Sequence, residues 1–127
     1  MFKILIVDDT RSVHAFVKAL FGEWKYMAFS DVYDGSEAVA LLSAGAEFNL
    51  ILLDWEMPQL NGPATFEEFK RLGFRVPVIM MTTKNQPSDI AMMLQAGVAE
   101  YLMKPFTLDI LLEKIESVSG RNVAYVI

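Results

Sequence analysis

Short apolar runs alternate along the chain with longer segments in which apolar residues recur every three or four positions. Four runs are clear and a fifth is weaker; they are KILIV at 3–7, NLILL at 49–53, VPVIMM at 76–81, EYLM at 100–103, and residues 27–32. Aliphatic and β-branched runs of this length are typical of buried strands, and the spacing between them is typical of amphipathic helices. The pattern predicts five β-strands, each followed by an α-helix.

Each of the five helical segments carries an apolar stripe. The stripe residues are, in chain order, Val13, Phe16, Val17, Leu20 and Phe21; Ala38, Leu41 and Leu42; Phe66, Phe69 and Leu72; Ile90, Ala91 and Leu94; and Ile110, Leu111 and Ile115. In the fourth segment, Ala91 and Leu94 are expected to face the sheet. Ile90 and Met93 then either form an adjoining stripe beside Tyr101 that a partner can bind, or widen the buried stripe.

Residues with strong preferences for helix ends punctuate these segments. Ser36 and Ser88 occupy positions suited to N-caps, and Pro87 suits a first helical turn. Four glycines stand where helices are expected to stop, and they are Gly22, Gly45, Gly73 and Gly97. Connections this short between alternating elements require a parallel sheet with helices on both faces. The predicted fold class is a doubly wound α/β sheet of five parallel strands.

Polar residues follow four of the predicted strands, at the end where ligands bind in an open doubly wound sheet. These residues are Asp8 and Asp9, Asp54, Thr82 and Thr83, and Lys104 followed by Pro105. Taken singly, most of them have an ordinary explanation as a helix cap, a strand-closing threonine or a solvated lysine. Because the four strand ends meet at one edge of the sheet, they predict a single site.

The acids of this predicted site require a cation. Three carboxylates within a few ångström repel one another, and Mg²⁺ binds one or two carboxylates while leaving positions for water and phosphate oxygens. Thr82 offers a short hydrogen-bond donor, and Lys104 a point charge, to the phosphoryl oxygens that the metal does not hold. Asp54 is then placed to attack phosphorus in line and become an aspartyl phosphate.

Composition places this site in a small, acidic protein without cysteine. The 127 residues suffice for one domain, and a net charge of -5 argues against direct contact with nucleic acid. The lack of cysteine excludes disulfides and thiolate chemistry and fits a reducing compartment. The apolar runs are too short for a signal peptide or a membrane span. We expect a cytoplasmic protein that neither inserts into membranes nor binds nucleic acid.

Motifs at these strand ends resemble the receiver domain of two-component response regulators, and most closely its stand-alone CheY type. The motifs are VDD at 7–9, LLDWEMPQLNG at 52–62, MTT at 81–83 and QAGVAEYLMKPF at 95–106. Their order and spacing match the family over residues 3–118. The resemblance implies the strand order 2-1-3-4-5, a receiver domain over residues 1–119, and a tail or truncated linker over residues 120–127.

The resemblance also implies a role for each site residue. Asp54 matches the phosphoacceptor, which receives a phosphoryl group from a sensor histidine kinase, and Lys104 matches the phosphate-binding lysine. Asp9 and Asp54 match residues that bind Mg²⁺ directly, and Asp8 matches one that binds it through water. The remaining matches are the backbone carbonyl of Glu56 as a metal ligand, Thr82 and Tyr101 as the switch pair, and Lys104-Pro105 as a cis peptide bond.

The implied output is a conformational change. Phosphorylation in this family alters the surface formed by the fourth helix, fifth strand and fifth helix, which binds an output protein, an output domain or a second receiver in a phosphorylation-dependent dimer. The resemblance also implies that the chain catalyses its own phosphorylation and dephosphorylation and is not a turnover enzyme. The apolar tail at 123–127 is explained equally by a truncated linker, an extra strand or a dimer contact.

Several positions depart from the usual family pattern or flank the site. Thr83 is bulkier than the small residue that usually follows the switch threonine, and Asn61 replaces a frequent aspartate. Glu56 and Lys84 are expected to influence the lifetime of the phosphoryl group, either by pairing across the mouth or through Glu56 acting as a base. His14 is expected to be a surface or edge residue of the first helix and is assigned no role.

Two other classes of protein share parts of this pattern. Phosphatases of the haloacid dehalogenase type also combine a nucleophilic aspartate with a threonine or serine, a lysine and Mg²⁺, but their nucleophile follows the first strand in a DxD motif. Flavodoxin-like flavin carriers share the strand order but need a phosphate loop rich in serine, threonine and glycine after the first strand. Here that position reads DDTRS, which argues against both classes.

Overall fold

The structure is a computed structural model that describes residues 1–120. The elements, in chain order, are β1 (Phe2–Val7), α1 (Arg11–Phe21), β2 (Met27–Val32), α2 (Gly35–Ser43), β3 (Leu50–Asp54), α3 (Gly62–Arg71), β4 (Val78–Thr82), α4 (Pro87–Ala96), β5 (Glu100–Met103) and α5 (Leu108–Ser119). The predicted alternation of five strands and five helices is confirmed. The tail at 123–127, with its three interpretations, lies outside the described residues.

The five strands form one parallel sheet in the order β2-β1-β3-β4-β5. Val7 at the end of β1 pairs with Val32 of β2 and with Leu53 of β3, and Thr82 at the end of β4 pairs with Met103 of β5. The carboxyl ends of β1, β3, β4 and β5 therefore lie along one edge of the sheet. This order confirms the one implied by the resemblance.

Apolar side chains fill the space on both faces of the sheet, which explains why the central strands are almost wholly apolar. One face packs against α1 and α5, and its buried residues include Ile4, Ile6, Leu52, Ile79, Met81, Val17, Phe21, Leu111 and Ile115. The other face packs against α2, α3 and α4, with Leu5, Val7, Ile51, Leu53, Met80, Ala38, Phe66, Phe69 and Met93. Residues that alternate along a strand therefore join opposite halves of the core.

Two of the predicted helix caps are wrong. Asp34 caps α2, and its side chain accepts a hydrogen bond from the backbone N–H of Glu37, so that Ser36 lies inside the first turn. Gln86 occupies the N-cap of α4 without a side-chain cap, and Ser88 lies inside that helix. Helix α2 begins earlier than expected because a carboxylate in extended backbone reaches the free amides of the first turn. Pro87 does start α4, as predicted.

The orientation of α4 also differs from the prediction. Met93 is 5% exposed, whereas Leu94 is 41% exposed and Ala91 is exposed as well. Each helical residue is rotated by about 100° from the previous one, so burying Met93 turns its neighbours toward solvent and leaves Ile90 half-buried on the inner side. The inner face of α4 therefore centres on Met93.

The helices are short, and the longest, α5, has 12 residues. Within residues 1–120, none of them has the length and apolarity that crossing a bilayer requires.

Candidate functional site

The sheet brings the predicted polar residues to one edge because four parallel strands end there. Asp54 is the last residue of β3 and is 4% exposed, and Thr82 is the last residue of β4 and is 2% exposed. Asp8 directly follows β1 and is fully buried, and Lys104 directly follows β5. In β3 and β4, which are buried along their whole length, the last residue is therefore the polar one.

Three carboxylates meet at this edge. Carboxylate oxygens of Asp8, Asp9 and Asp54 lie within 4.8 Å of one another, with Asp8 and Asp54 buried and Asp9 exposed. Oxygen ligands at this spacing, open to solvent on the side of Asp9, suit a hard divalent cation that keeps some of its waters. The donor set therefore fits Mg²⁺. Glu56 lies two residues beyond Asp54 with an exposed side chain, and the role of its carbonyl stays a prediction.

Lys104 ties two of these acids together. Its Nζ donates hydrogen bonds to Asp54 Oδ1 at 2.8 Å and to Asp8 Oδ2 at 3.0 Å. Its backbone N–H donates to the carbonyl oxygen of Thr82 at 2.8 Å, which holds the end of β5 against β4. The lysine therefore supplies positive charge to two of the carboxylates, and a bound cation would share or take over that role.

The environment of the site alters the acidity of its groups. Burial raises the pKa of Asp54 to about 6, the nearby charges of Asp8 and Asp9 act in the same direction, and the hydrogen bond from Lys104 opposes them. Burial tends to lower the pKa of Lys104, but its hydrogen bonds to Asp54 and Asp8 outweigh that effect and raise it. Asp54 is thus mostly ionised at neutral pH, as a nucleophile must be, and a cation at the site would favour that form further.

Thr82 and Tyr101, the predicted switch pair, lie on neighbouring strands. The Oγ1 of Thr82 accepts a hydrogen bond from the backbone N–H of Lys84 at 2.9 Å, which shapes the loop after β4. Tyr101 is half-buried in β5, and Lys114 Nζ lies 5.1 Å from the centroid of its ring. Thr82 thus lies at the site and Tyr101 lies on the adjacent strand, and their coupled movement stays a prediction.

Two side chains of opposite charge meet at the mouth of the site. Glu56 Oε1 lies 3.6 Å from Lys84 Nζ, and the two side chains are 62% and 38% exposed. The same Nζ lies 5.5 Å from the centroid of the Trp55 ring, so Lys84 is held by a carboxylate and by an aromatic face. Thr83 is exposed beside this pair. The pairing that the sequence allowed is therefore present.

Gly62 allows the loop after β3 to close against the strand. Its backbone N–H donates to the carbonyl oxygen of Trp55 at 2.9 Å. A Cβ at this position would lie 2.5 Å from the carbonyl oxygen of Asp54 and 2.8 Å from Cα of Trp55. Only glycine fits here, and its backbone packs directly against the backbone of Asp54 and Trp55. Asn61, next to it, caps α3 through a hydrogen bond from the N–H of Ala64.

An apolar groove adjoins the site on the side of α1. The Lys104-Pro105 peptide bond is cis, as the resemblance implied. The groove has a volume of about 480 Å³ and is lined by Ser12, Val13, Phe16, Thr83, Lys104, Pro105 and Phe106. Phe16, which the stripe pattern assigned to the helix interior, is 41% exposed and packs edge-on against Phe106 at 5.5 Å between ring centroids.

His14 is the residue beside the site that sequence reasoning missed. It is 3% exposed and not a surface residue as expected. Its Nε2 lies 2.8 Å from the carbonyl oxygen of Asp8, and its Nδ1 lies 2.6 Å from Asp31 Oδ1. The signal was its position three residues before Val17, which puts it on the buried stripe of α1.

Comparison with known proteins agrees with this geometry. The sequence model of the response regulator receiver domain matches residues 4–116. Chemotaxis protein CheY1 of Helicobacter pylori is 34% identical over 122 residues, which cover 94% of this chain and 98% of that protein. Chemotaxis protein CheY of Pseudomonas aeruginosa is 34% identical over 125 residues, which cover 94% of this chain and 97% of that protein.

Solved structures share the same architecture. The receiver domain of Francisella response regulator 1452 matches with a TM-score of 0.85 and 27% identity, over 95% of this chain and 98% of that one. Vibrio cholerae chemotaxis protein CheY4 matches with a TM-score of 0.80 and 28% identity, over 93% of this chain and 98% of that one. The chain therefore belongs to the response regulator receiver domain family and is a receiver of the CheY type from a two-component system.

Proposed function

We propose that this chain receives a phosphoryl group on Asp54 from a sensor histidine kinase and uses Mg²⁺ to do so. The observation that carries the proposal is the meeting of buried Asp54 with Asp8, Asp9 and Lys104 at one edge of the sheet. Receivers interact with a kinase and with downstream targets. Because the kinase acts in the cytoplasm, we propose that location for this chain too.

The transfer requires a carboxylate nucleophile and compensation for phosphoryl charge. A carboxylate oxygen of Asp54 attacks phosphorus in line, a P–O bond forms, and the P–N bond to the kinase histidine breaks with its electron pair left on the imidazole. Asp8, Asp9 and Asp54 would hold Mg²⁺, which would supply positive charge to the phosphoryl oxygens. Lys104 Nζ, already in contact with Asp54, offers a second positive charge.

The rest of the site serves to hold the product. Thr82, buried at the end of β4, carries a hydroxyl that can donate to a phosphoryl oxygen once it turns away from the loop that it now supports. The product is an acyl phosphate attached to the protein itself. We infer that the chain hydrolyses only this bond and is not a turnover enzyme; the position of Asp54 on the third strand supports this against a phosphatase, whose nucleophile follows the first strand.

Phosphorylation is tested most directly with a small donor. Acetyl phosphate and Mg²⁺ should produce a phosphoprotein that is labile to hydroxylamine, and Asp54→Asn should abolish it. Asp109→Asn, an equivalent change at an exposed position of α5, should leave it intact. Hydroxylamine-sensitive label on the Asp54→Asn protein would contradict the assignment. Hydrolysis of small phosphomonoesters by the native chain would favour the phosphatase class.

We further propose that the output surface lies around β5, the edge strand of the sheet. Large apolar side chains are exposed on the helices that flank this edge: Met92 on α4 is 50% exposed and Ile110 on α5 is 43% exposed. Tyr101 lies between them in β5. Exposed methionine and isoleucine suit a partner helix or a second receiver. This proposal uses Met92, because Met93, considered for that role from sequence, is buried.

The output surface can be located without knowing the partner. Beryllofluoride with Mg²⁺ mimics the phosphoryl group, so amide chemical shifts recorded with and without it should change most in α4, β5 and α5. Shifts confined to the site and to α2 and α3 would contradict this surface. Sedimentation of the same two samples tests whether the phosphoryl mimic also drives dimer formation.

A further inference from the structure

His14 connects the loop of residues 8–10, which we call the acid loop, to the neighbouring strand β2. The loop begins at Asp8, whose carbonyl oxygen lies 2.8 Å from Nε2 of His14. The other ring nitrogen, Nδ1, lies 2.6 Å from Asp31 Oδ1, and Asp31 belongs to β2. The histidine is buried and has no part in the phosphoryl chemistry described above. Its two contacts, however, join the backbone of a proposed metal ligand, Asp8, to Asp31 on β2.

The contact with the carbonyl oxygen of Asp8 controls more than that one atom. The peptide group between Asp8 and Asp9 is planar, so its oxygen, its N–H and both flanking Cα atoms move as one unit. A change in ψ of Asp8 turns this plane together with the chain that follows it, and so redirects the Asp9 carboxylate relative to that of Asp8. A hydrogen bond to the oxygen opposes that rotation. Asp8 and Asp9 supply two of the three oxygens that surround the proposed cation.

Other bonds of the loop leave this plane free to turn. The N–H of Asp8 donates to the carbonyl oxygen of Val32 at 3.3 Å, which fixes the plane before Asp8 and not the one after it. The N–H of Thr10 donates to Asp8 Oδ1 at 2.8 Å, which fixes a side-chain oxygen. Asp9 is exposed. The hydrogen bond from His14, in contrast, acts on the Asp8-Asp9 plane directly.

The ring of His14 is itself held on several sides. Asp31 forms a hydrogen-bonded ion pair with Lys18 and so stays oriented toward the ring. Tyr33 packs against the imidazole with 4.5 Å between ring centroids, and the guanidinium of Arg11, on α1, lies 4.6 Å from the centre of the Tyr33 ring. A ring held in this way fixes the position of the acid loop relative to β2.

We propose that His14 is a positioning residue for the cation site, which fixes the Asp8-Asp9 peptide plane so that both carboxylates face the metal. This inference rests on the proposed function, since it requires that the chain bind Mg²⁺. Groups that orient the ligands of a metal commonly change its affinity by about tenfold or more when they are removed. A histidine that served the fold alone would change stability and leave metal affinity as it is.

The test measures Mg²⁺ affinity separately from stability. His14→Phe keeps a ring of similar size and removes both hydrogen bonds, and we expect the Kd for Mg²⁺ to rise about tenfold. Binding is followed through the fluorescence of Trp55, next to Asp54, and through the rise in unfolding midpoint that Mg²⁺ causes. His14→Gln, whose amide can still donate to one oxygen, should restore part of the affinity.

A matched control separates positioning from general loosening of the fold. Ile115→Val removes one methylene from the core on α5, away from the acid loop, and should lower stability without changing the Kd. A folded His14→Phe protein that binds Mg²⁺ within twofold of the native Kd would refute the inference. If that variant does not fold, Asp31→Asn decides instead: an unchanged Kd there refutes the inference, and a weakened one supports it. If the native chain binds no Mg²⁺, the proposed function fails first, which is a separate result.

Discussion

Asp54 is buried and ionised at neutral pH, and burial of this charge lowers the stability of the fold by an amount that depends on pH. Burial raises its pKa from 3.8 to about 6. Between these two pH values the folded protein binds more protons at this position than the unfolded chain does. Stability therefore falls as pH rises through this window, and the carboxylate destabilises the metal-free fold above it. The site favours chemistry over stability at this residue.

We expect Asp54→Asn to stabilise the metal-free protein at pH 8, by about 2 kcal/mol. The gain is limited because the variant also weakens the hydrogen bond from Lys104 to Asp54 Oδ1. At pH 4 the gain should be much smaller, since Asp54 is then mostly protonated in the native protein. Urea unfolding in the presence of a chelator measures both values. A variant that is less stable than the native protein at pH 8 would contradict the assigned direction.

The ion pair at the mouth should set the lifetime of the phosphoryl group. Glu56 and Lys84 are exposed, and a pair of this kind is worth about 0–1 kcal/mol, so removing it should accelerate dephosphorylation by no more than about fivefold. Lys84→Ala should have the larger effect, because in Glu56→Ala the lysine still contacts the ring of Trp55.

Dephosphorylation rates of the two single variants and the double variant, at low and high salt, test this gate. Both single changes should accelerate loss, and the double change should add little. Slower loss in Glu56→Ala would contradict the gate and would support Glu56 as a base that orients water.

At the scale of elements, α4 shows how one rotation decides which residues are core and which are surface. Met92 and Met93 are adjacent and chemically identical, yet Met92 is 50% exposed and Met93 is 5% exposed. Met93 packs into the face of the sheet that α2 and α3 also cover. The helix therefore exposes Met92 on the proposed output surface and packs against the sheet through Met93.

The two methionines provide a matched pair of variants. Met93→Ala should lower the free energy of unfolding by about 2–3 kcal/mol, because it leaves a cavity beneath α4. Met92→Ala should change the free energy of unfolding by less than about 0.5 kcal/mol. It should also lower the affinity of any partner that binds the proposed output surface. Urea denaturation of both proteins checks the first statement. Equal losses for the two variants would show that α4 is rotated from its described position.

At the scale of the whole molecule, binding of the proposed cation to the carboxylate cluster should raise the stability of the fold. A ligand that binds only the native state stabilises it, by about 2.7 kcal/mol at a concentration one hundred times its Kd. We expect Mg²⁺ to produce this gain and a chelator to reverse it. Asp9→Asn should abolish most of the gain, whereas the control Asp109→Asn should keep it. An unchanged response in Asp9→Asn would exclude Asp9 as a ligand.

The local pattern of the sequence was sufficient to predict the strands, their alternation with helices and the polar residues that meet at one edge of the sheet. Strands buried on both faces are almost wholly apolar, so a carboxylate such as Asp54 at the end of β3 stands out without any knowledge of the fold. Parallel strands also end at a common edge, which is why Asp8, Asp54, Thr82 and Lys104 could be assigned to one site in advance. The strand order came from the resemblance and not from the pattern.

Tertiary structure alone decided the rotation of α4, the partners of Lys104 and the environment of His14. Lys104 contacts Asp8 across 96 positions of the chain and Asp54 across 50, and no periodicity within a window of one helix carries such information. His14 and Asp31 likewise meet only because β2 lies beside β1. The sequence determined which side chains stand at the ends of the strands, because that depends on short-range periodicity. Which of them touch depends on how distant elements pack, and only the folded chain specifies that.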